Sequence, residues 1–112
     1  RHLLAGRGRV LVRYQHHHSY APASMLLGVA VSQLYKIARN TTRDADVVTH
    51  VLAYALELRA LAYPFRVLRR ATTICSRRFP DRTVWRMVDT LLWRMATTHW
   101  GESVPPSCGS SP

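Results

Sequence analysis

Apolar and polar positions change their spacing along this chain. In "RVLVRY", residues 9 to 14, apolar and basic residues alternate, a pattern that pairs as a strand or stays extended along a partner. From residue 21 the apolar positions recur with helical spacing instead. A first helix is predicted from about residue 22 to 39, with Pro22 near its first turn, where a missing N–H costs little, and with Met25, Leu26, Val29, Leu34 and Ile37 on its apolar face. The loop "NTTRDAD" is rich in capping side chains. It introduces a second helix, residues 44 to 62, in which Thr42 or Asp44 is expected to accept from the first-turn N–H groups.

Pro64 removes a backbone donor and restricts Tyr63, so the second helix ends or kinks there. A third helix follows to about residue 77 and carries the clearest division of faces. Val67, Leu68, Ala71, Ile74 and Cys75 fall on one stripe, and Arg66, Arg69, Arg70 and Arg77 on the other side. Pro80 then breaks the chain, Asp81 is a suitable N-cap, and a fourth helix is predicted over residues 82 to 99. Val84, Met87, Val88, Leu91, Leu92 and Met95 give it a wide apolar face. Trp85, Trp93 and Trp100 are expected in the core or at an interface. The predicted fold is all-α, about four helices as antiparallel helical hairpins. A basic extended arm (residues 1–20) precedes the helical domain (residues 21–100), and a Pro/Ser/Gly-rich tail of flexible composition (residues 101–112) follows it.

Charge changes this picture from a plain helical domain to one with a polyanionic partner. Sixteen basic residues against six acidic ones give a formal charge of +10, and Lys36 is the single residue among the sixteen that is not arginine. Such an excess expects a polyanion. The preference for arginine fits either a bidentate grip on phosphate or a GC-rich genome. No carboxylate precedes Asp44, so the first part of the chain is purely cationic. That character resembles a mitochondrial targeting region, or the mature end left by its removal, and makes the mitochondrial matrix the expected location. Between residues 58 and 80 no acid interrupts the arginines, so pairing within the helix does not explain them.

The chain also repeats itself weakly. Asp46 and Asp81, 35 residues apart, open "DVVTHVLAYALELRA" and "DRTVWRMVDTLLWRM", which align Leu52 with Met87, Ala53 with Val88, Leu56 with Leu91 and Arg59 with Arg94. The stretch from Asp46 to Asp81 resembles a pentatricopeptide repeat, a helix-turn-helix unit of about 35 residues ending in "PD", as "FPDRTVW" does here. The resemblance spans about residues 46–99, one full repeat and the beginning of another. "LRALAYPF" stands where the family has a glycine at its turn. The small polar residue that reads a base would fall on Val51 and then on Arg86, and Asp81 alone matches the second base-reading position. The resemblance therefore implies a degenerate helical-repeat scaffold rather than a reader of base sequence.

The sequence offers little catalytic chemistry. "HHHSY" cannot aim three adjacent histidines at one point, and no carboxylate or cysteine lies near it. His50 and His99 fall within helices. Cys75 and Cys108 belong to no metal-binding spacing; Cys75 sits on an apolar helical face, where packing is its expected role. No nucleophile elbow, P-loop or dinucleotide fingerprint occurs, and the six carboxylates form no acid/base pair. No enzymatic activity, metal or cofactor is expected. No apolar run reaches the roughly 18 to 20 residues that span a bilayer.

These features predict a small accessory protein of a mitochondrial ribosome, holding structured rRNA through phosphates and docking on neighbouring subunits. The residues expected to carry this are Arg7, Arg9, Arg13, Arg66, Arg69, Arg70, Arg77, Arg78 and Arg82. The alternative is an accessory subunit of a mitochondrial inner-membrane complex, such as a respiratory enzyme or ATP synthase, with its arginines on anionic lipid and its tryptophans at the interface. A protein adaptor whose basic face meets an acidic partner is a third reading. The position of the arginines relative to Trp93 and Trp100 separates the first two.

Overall fold

The computed structural model describes residues 21–103. Four α-helices, α1 (Ala23–Asn40), α2 (Asp44–Ala60), α3 (Phe65–Arg78) and α4 (Val84–Met95), are followed by one π-helical turn, Ala96–Trp100. No strand occurs among the described residues, and the fold is all-α as the periodicity predicts. The alternating segment, the remainder of the arm and the end of the tail lie outside the described residues.

Helix boundaries follow from identifiable backbone chemistry. The carbonyl of Pro22 accepts from the N–H of Leu26 at 3.1 Å and opens α1. At α2 the expected side-chain cap is not formed: Arg43 is the cap residue, and its carbonyl accepts from Asp46 and Val47 at 3.0 and 3.1 Å. Asp44 and Asp46 still complement the dipole from the first turn. Helix α2 ends at Ala60, short of residue 62. Tyr63 N–H returns to the Leu58 carbonyl and Ala62 N–H to that of Arg59, a Schellman closure with Ala62 at φ 62°.

The fourth helix also starts later than expected. Pro80 and Asp81 form a turn closed by Arg82 N–H on the Phe79 carbonyl at 3.1 Å, so exposed Asp81 is no cap and α4 begins at Val84. The helix narrows its apolar face as well. Val84, Trp85, Val88, Leu92 and Ala96 line the core, Leu91 and Met95 are half-buried, and Met87 is 59% exposed, contrary to the expected face. The burial pattern of α2, Val47, Val48, Val51 and Ala55, corresponds to Val84, Trp85, Val88 and Leu92 in α4. That correspondence is two residues out of register with the alignment of Asp46 on Asp81.

Packing between helices sets the architecture. The closest associations are α1 with α3 and α2 with α4, and the consecutive pairs α1/α2 and α3/α4 also touch. Two links tie the α3–α4 loop to the α1–α2 hairpin at one end: the Phe79 ring meets that of Tyr35 on α1 edge to face at 5.6 Å, and Arg82 reaches Thr41 in the α1–α2 loop and Asp44 at the start of α2. At the other end Arg59 donates to the His99 carbonyl, and Trp100 Nε1 to that of Tyr63 at 2.8 Å. Helices α1 and α3 therefore run the same way, opposed to α2 and α4. The result is two helical hairpins stacked side by side, with Leu34, Leu58, Leu68, Val51, Val88 and Leu92 buried between them.

Candidate nucleic-acid interface

Helix α3 shows two faces of opposite chemistry. Val67, Leu68, Ala71 and Cys75 are buried, as the stripe in the sequence predicts, with Ile74 half-buried at its margin; Phe65 and Thr72 are buried as well, outside that stripe. Arg66, Arg69, Arg70, Thr73 and Arg77 follow the i, i+3, i+4, i+7, i+11 spacing on the outer side. Arg66, Arg70, Arg77 and Arg78 are all exposed. Among the described residues the arginine ion pairs are Arg43–Asp46, Arg69–Asp89 and Arg82–Asp44, so those four arginines carry their charge into solvent unpaired.

Helix stability accounts for only part of this face. Arg77 and Arg78 occupy the last turn of α3, where cations complement the dipole. Arg66 stands in the first turn, which contains no acid, and there a cation is disfavoured.

Two of the expected site residues are committed to the fold. The Arg82 guanidinium, 19% exposed, donates through Nη2 to the Thr41 carbonyl at 2.6 Å and through Nη1 to Asp44 at 3.1 Å. Arg69 lies 3.6 Å from Asp89 and 4.9 Å over the ring of Trp93, a cation–π arrangement that fixes its direction. Arg7, Arg9 and Arg13 lie outside the described residues, as do the histidine run and Cys108.

The outer side of α3 meets α4 along a seam of two shallow grooves. One is bordered by Arg69, Thr73, Ser76, Trp85, Arg86 and Asp89. The other is bordered by Phe65, Arg66, Arg69, Arg70, Trp93 and Glu102. Arg69 and Thr73 belong to both, which makes the seam continuous. The hydroxyls of Thr72, Thr73, Ser76 and Thr90 all donate back to carbonyls of their own helices, leaving arginine and indole nitrogens as the seam's donors. Exposed Arg86, outside the expected set, belongs here. Its signal in the sequence is its place in the basic corner that begins at Arg77.

The tryptophans sit where the sequence expects them. Trp85 and Trp93 are 7% and 9% exposed, and Trp100 is half-buried against Phe65, with ring centroids 5.6 Å apart. Phe65 also meets Trp93 at 4.9 Å. Cys75 is fully buried, and burial pushes its thiol up to about 12, which suits a packing residue rather than a nucleophile. Among the described residues no group of three or more His, Cys, Asp or Glu could hold a metal ion, and no helix is long and apolar enough to cross a membrane. No known family model matches the sequence, and no curated protein or solved structure is significantly similar to it.

Proposed function

We propose that this protein is a non-catalytic, basic helical accessory component of a mitochondrial ribosome, one that holds structured rRNA by its phosphates and docks on neighbouring subunits. The observation that carries the reading is the outer face of α3, where Arg66, Arg70, Arg77 and Arg78 are exposed and unpaired, with Arg86 exposed on α4 across the groove from Arg69. Unpaired guanidiniums on a rigid helix suit phosphate oxygens, which they grip in bidentate fashion and without reference to base sequence. Two stacked hairpins also suit a degenerate helical-repeat scaffold of the pentatricopeptide kind, used here for docking rather than base reading.

The inner-membrane alternative draws less support. It requires tryptophans directed outward as headgroup anchors, whereas Trp93 is buried and Trp100 donates its N–H to the Tyr63 carbonyl. The test is affinity purification of the tagged chain from its native source at low salt, with and without ribonuclease. Ribosomal proteins and rRNA that are lost on ribonuclease treatment support the proposal. Membrane-complex subunits and lipid retained regardless of ribonuclease would overturn it.

A further inference from the structure

The seam between α3 and α4 is bordered by two buried indoles whose N–H groups have no acceptor within hydrogen-bond distance, Trp85 Nε1 and Trp93 Nε1, and by Arg69, whose Nε faces the Asp89 carboxylate at 3.6 Å. Buried donors are nearly always satisfied in folded proteins, so an orphan is met by a water, an ion or a bound ligand. Trp100 provides the internal contrast, since its Nε1 has the Tyr63 carbonyl at 2.8 Å.

Their arrangement is linear. Trp85 and Trp93 are two turns apart on the same helix, about 12 Å at 1.5 Å per residue. Arg69 borders both grooves and lies between them, held by Asp89 and by the ring of Trp93. Arg66 and Arg70 border the Trp93 groove, and Arg86 the Trp85 groove. A line of acceptors with negative charge matches this row of donors and guanidiniums. A sugar–phosphate backbone is such a line.

We infer that the α3–α4 seam is a track for the phosphodiester backbone of one RNA strand, with the indole N–H groups of Trp85 and Trp93 as direct donors and Arg66, Arg70 and Arg86 as the flanking cations. This rests on the proposed RNA-binding role and assigns that role to a particular surface. In the free protein the indole nitrogens are closed off from bulk solvent. Receiving the strand therefore involves displacing the side chains packed over the indole edges, Arg69 over the ring of Trp93 among them. Asp89 in one groove and Glu102 in the other oppose an anion; the pairing of Asp89 with Arg69 moderates the first, and Arg66 and Arg70 flank the second.

The experiment uses the full chain labelled with nitrogen-15, titrated with a stem–loop RNA carrying single-stranded flanks. Indole N–H resonances are followed by NMR, and affinity by anisotropy across a salt series. The Trp85 and Trp93 indole signals are expected to shift while that of Trp100 holds. Trp85→Phe, which keeps a ring but deletes the donor, is expected to weaken binding about fivefold, and Arg86→Gln to weaken it about tenfold. Trp100→Phe should leave affinity unchanged, which controls for general loosening. If the RNA binds but all three indole signals stay in place and both seam variants bind as tightly as the wild type, the seam assignment is wrong while the RNA-binding role survives. If the wild-type chain binds no RNA at low salt, the proposed role fails and the seam assignment with it.

Discussion

Arg82 and Thr41 connect the two hairpins at one end: the guanidinium donates to the Thr41 carbonyl at 2.6 Å, across two loops that are distant in sequence. Its second contact, to the 55%-exposed Asp44, adds little because water screens it. Arg82→Ala should therefore lower stability by about 1.5 to 3 kcal/mol, the cost of losing a charged donor to a part-buried carbonyl. Chemical denaturation reads the loss. Arg82→Lys should recover only part of it, since a lysine lacks the fork that reaches both acceptors.

The exposed arginines of α3 should respond in the opposite way. Arg66→Gln removes a cation from the first turn and should leave stability unchanged or raise it by up to about 0.5 kcal/mol at low ionic strength. Under the proposed function the same substitution weakens RNA binding and lowers the slope of log affinity against log salt by about 1. The paired Arg77→Gln, Arg78→Gln variant should cost up to about 0.5 kcal/mol through the dipole and lower that slope by about 2. A salt titration of each variant alongside its melting curve separates the two effects.

Backbone conformation gives a reciprocal pair of predictions. Gly28 lies mid-helix in α1, exposed, with nothing within 4 Å of an added Cβ, so Gly28→Ala should stabilise by about 0.5 to 1 kcal/mol. Ala62 holds φ 62° at the end of α2, a conformation that an L side chain resists. Ala62→Gly should gain about 0.5 to 1 kcal/mol after the added freedom of the unfolded chain is discounted. The sites share no partner, and the double variant should show the sum in a thermal melt.

Cys75 predicts a pH dependence. In the unfolded chain its thiol ionises near the model-peptide value of 9.0, and in the folded protein only at about 12. Between those values the folded state holds the extra proton, so stability falls as pH rises from 9.0 towards about 12. Below 9.0 this contribution is fully present. Cys75→Ser should remove that slope, and alkylation of Cys75 in the native protein should proceed only as fast as the chain opens. Mass spectrometry after timed alkylation checks the second point.

The helices were legible because three-residue and four-residue spacing of apolar side chains is a local property, and α3 in particular showed both its faces in advance. Boundaries were less so. "PD" before α4 reads equally as a cap or as a turn, and the contact that decides it, Arg82 on Thr41, comes from the far hairpin. The end of α2 carries no glycine, so its left-handed residue had no signal. Met87 and Trp85 are both apolar and nearly adjacent, and only the position of the neighbouring helix leaves one exposed and the other buried. The same limit applies to the arginines. Arg77 and Arg82 look alike in a basic corner, yet Arg77 is exposed and unpaired while Arg82 is tied into the fold.

The closest associations in this fold are between alternate helices, α1 with α3 and α2 with α4. Each hairpin therefore completes its interior only by borrowing from the other. A cut in the connection between Ala60 and Phe65 would not release two working modules; it would leave two amphipathic fragments that regain shape only by finding each other. The chain should fold and melt as one all-or-none unit, and it cannot be shortened by a hairpin in the way a long array of repeats can.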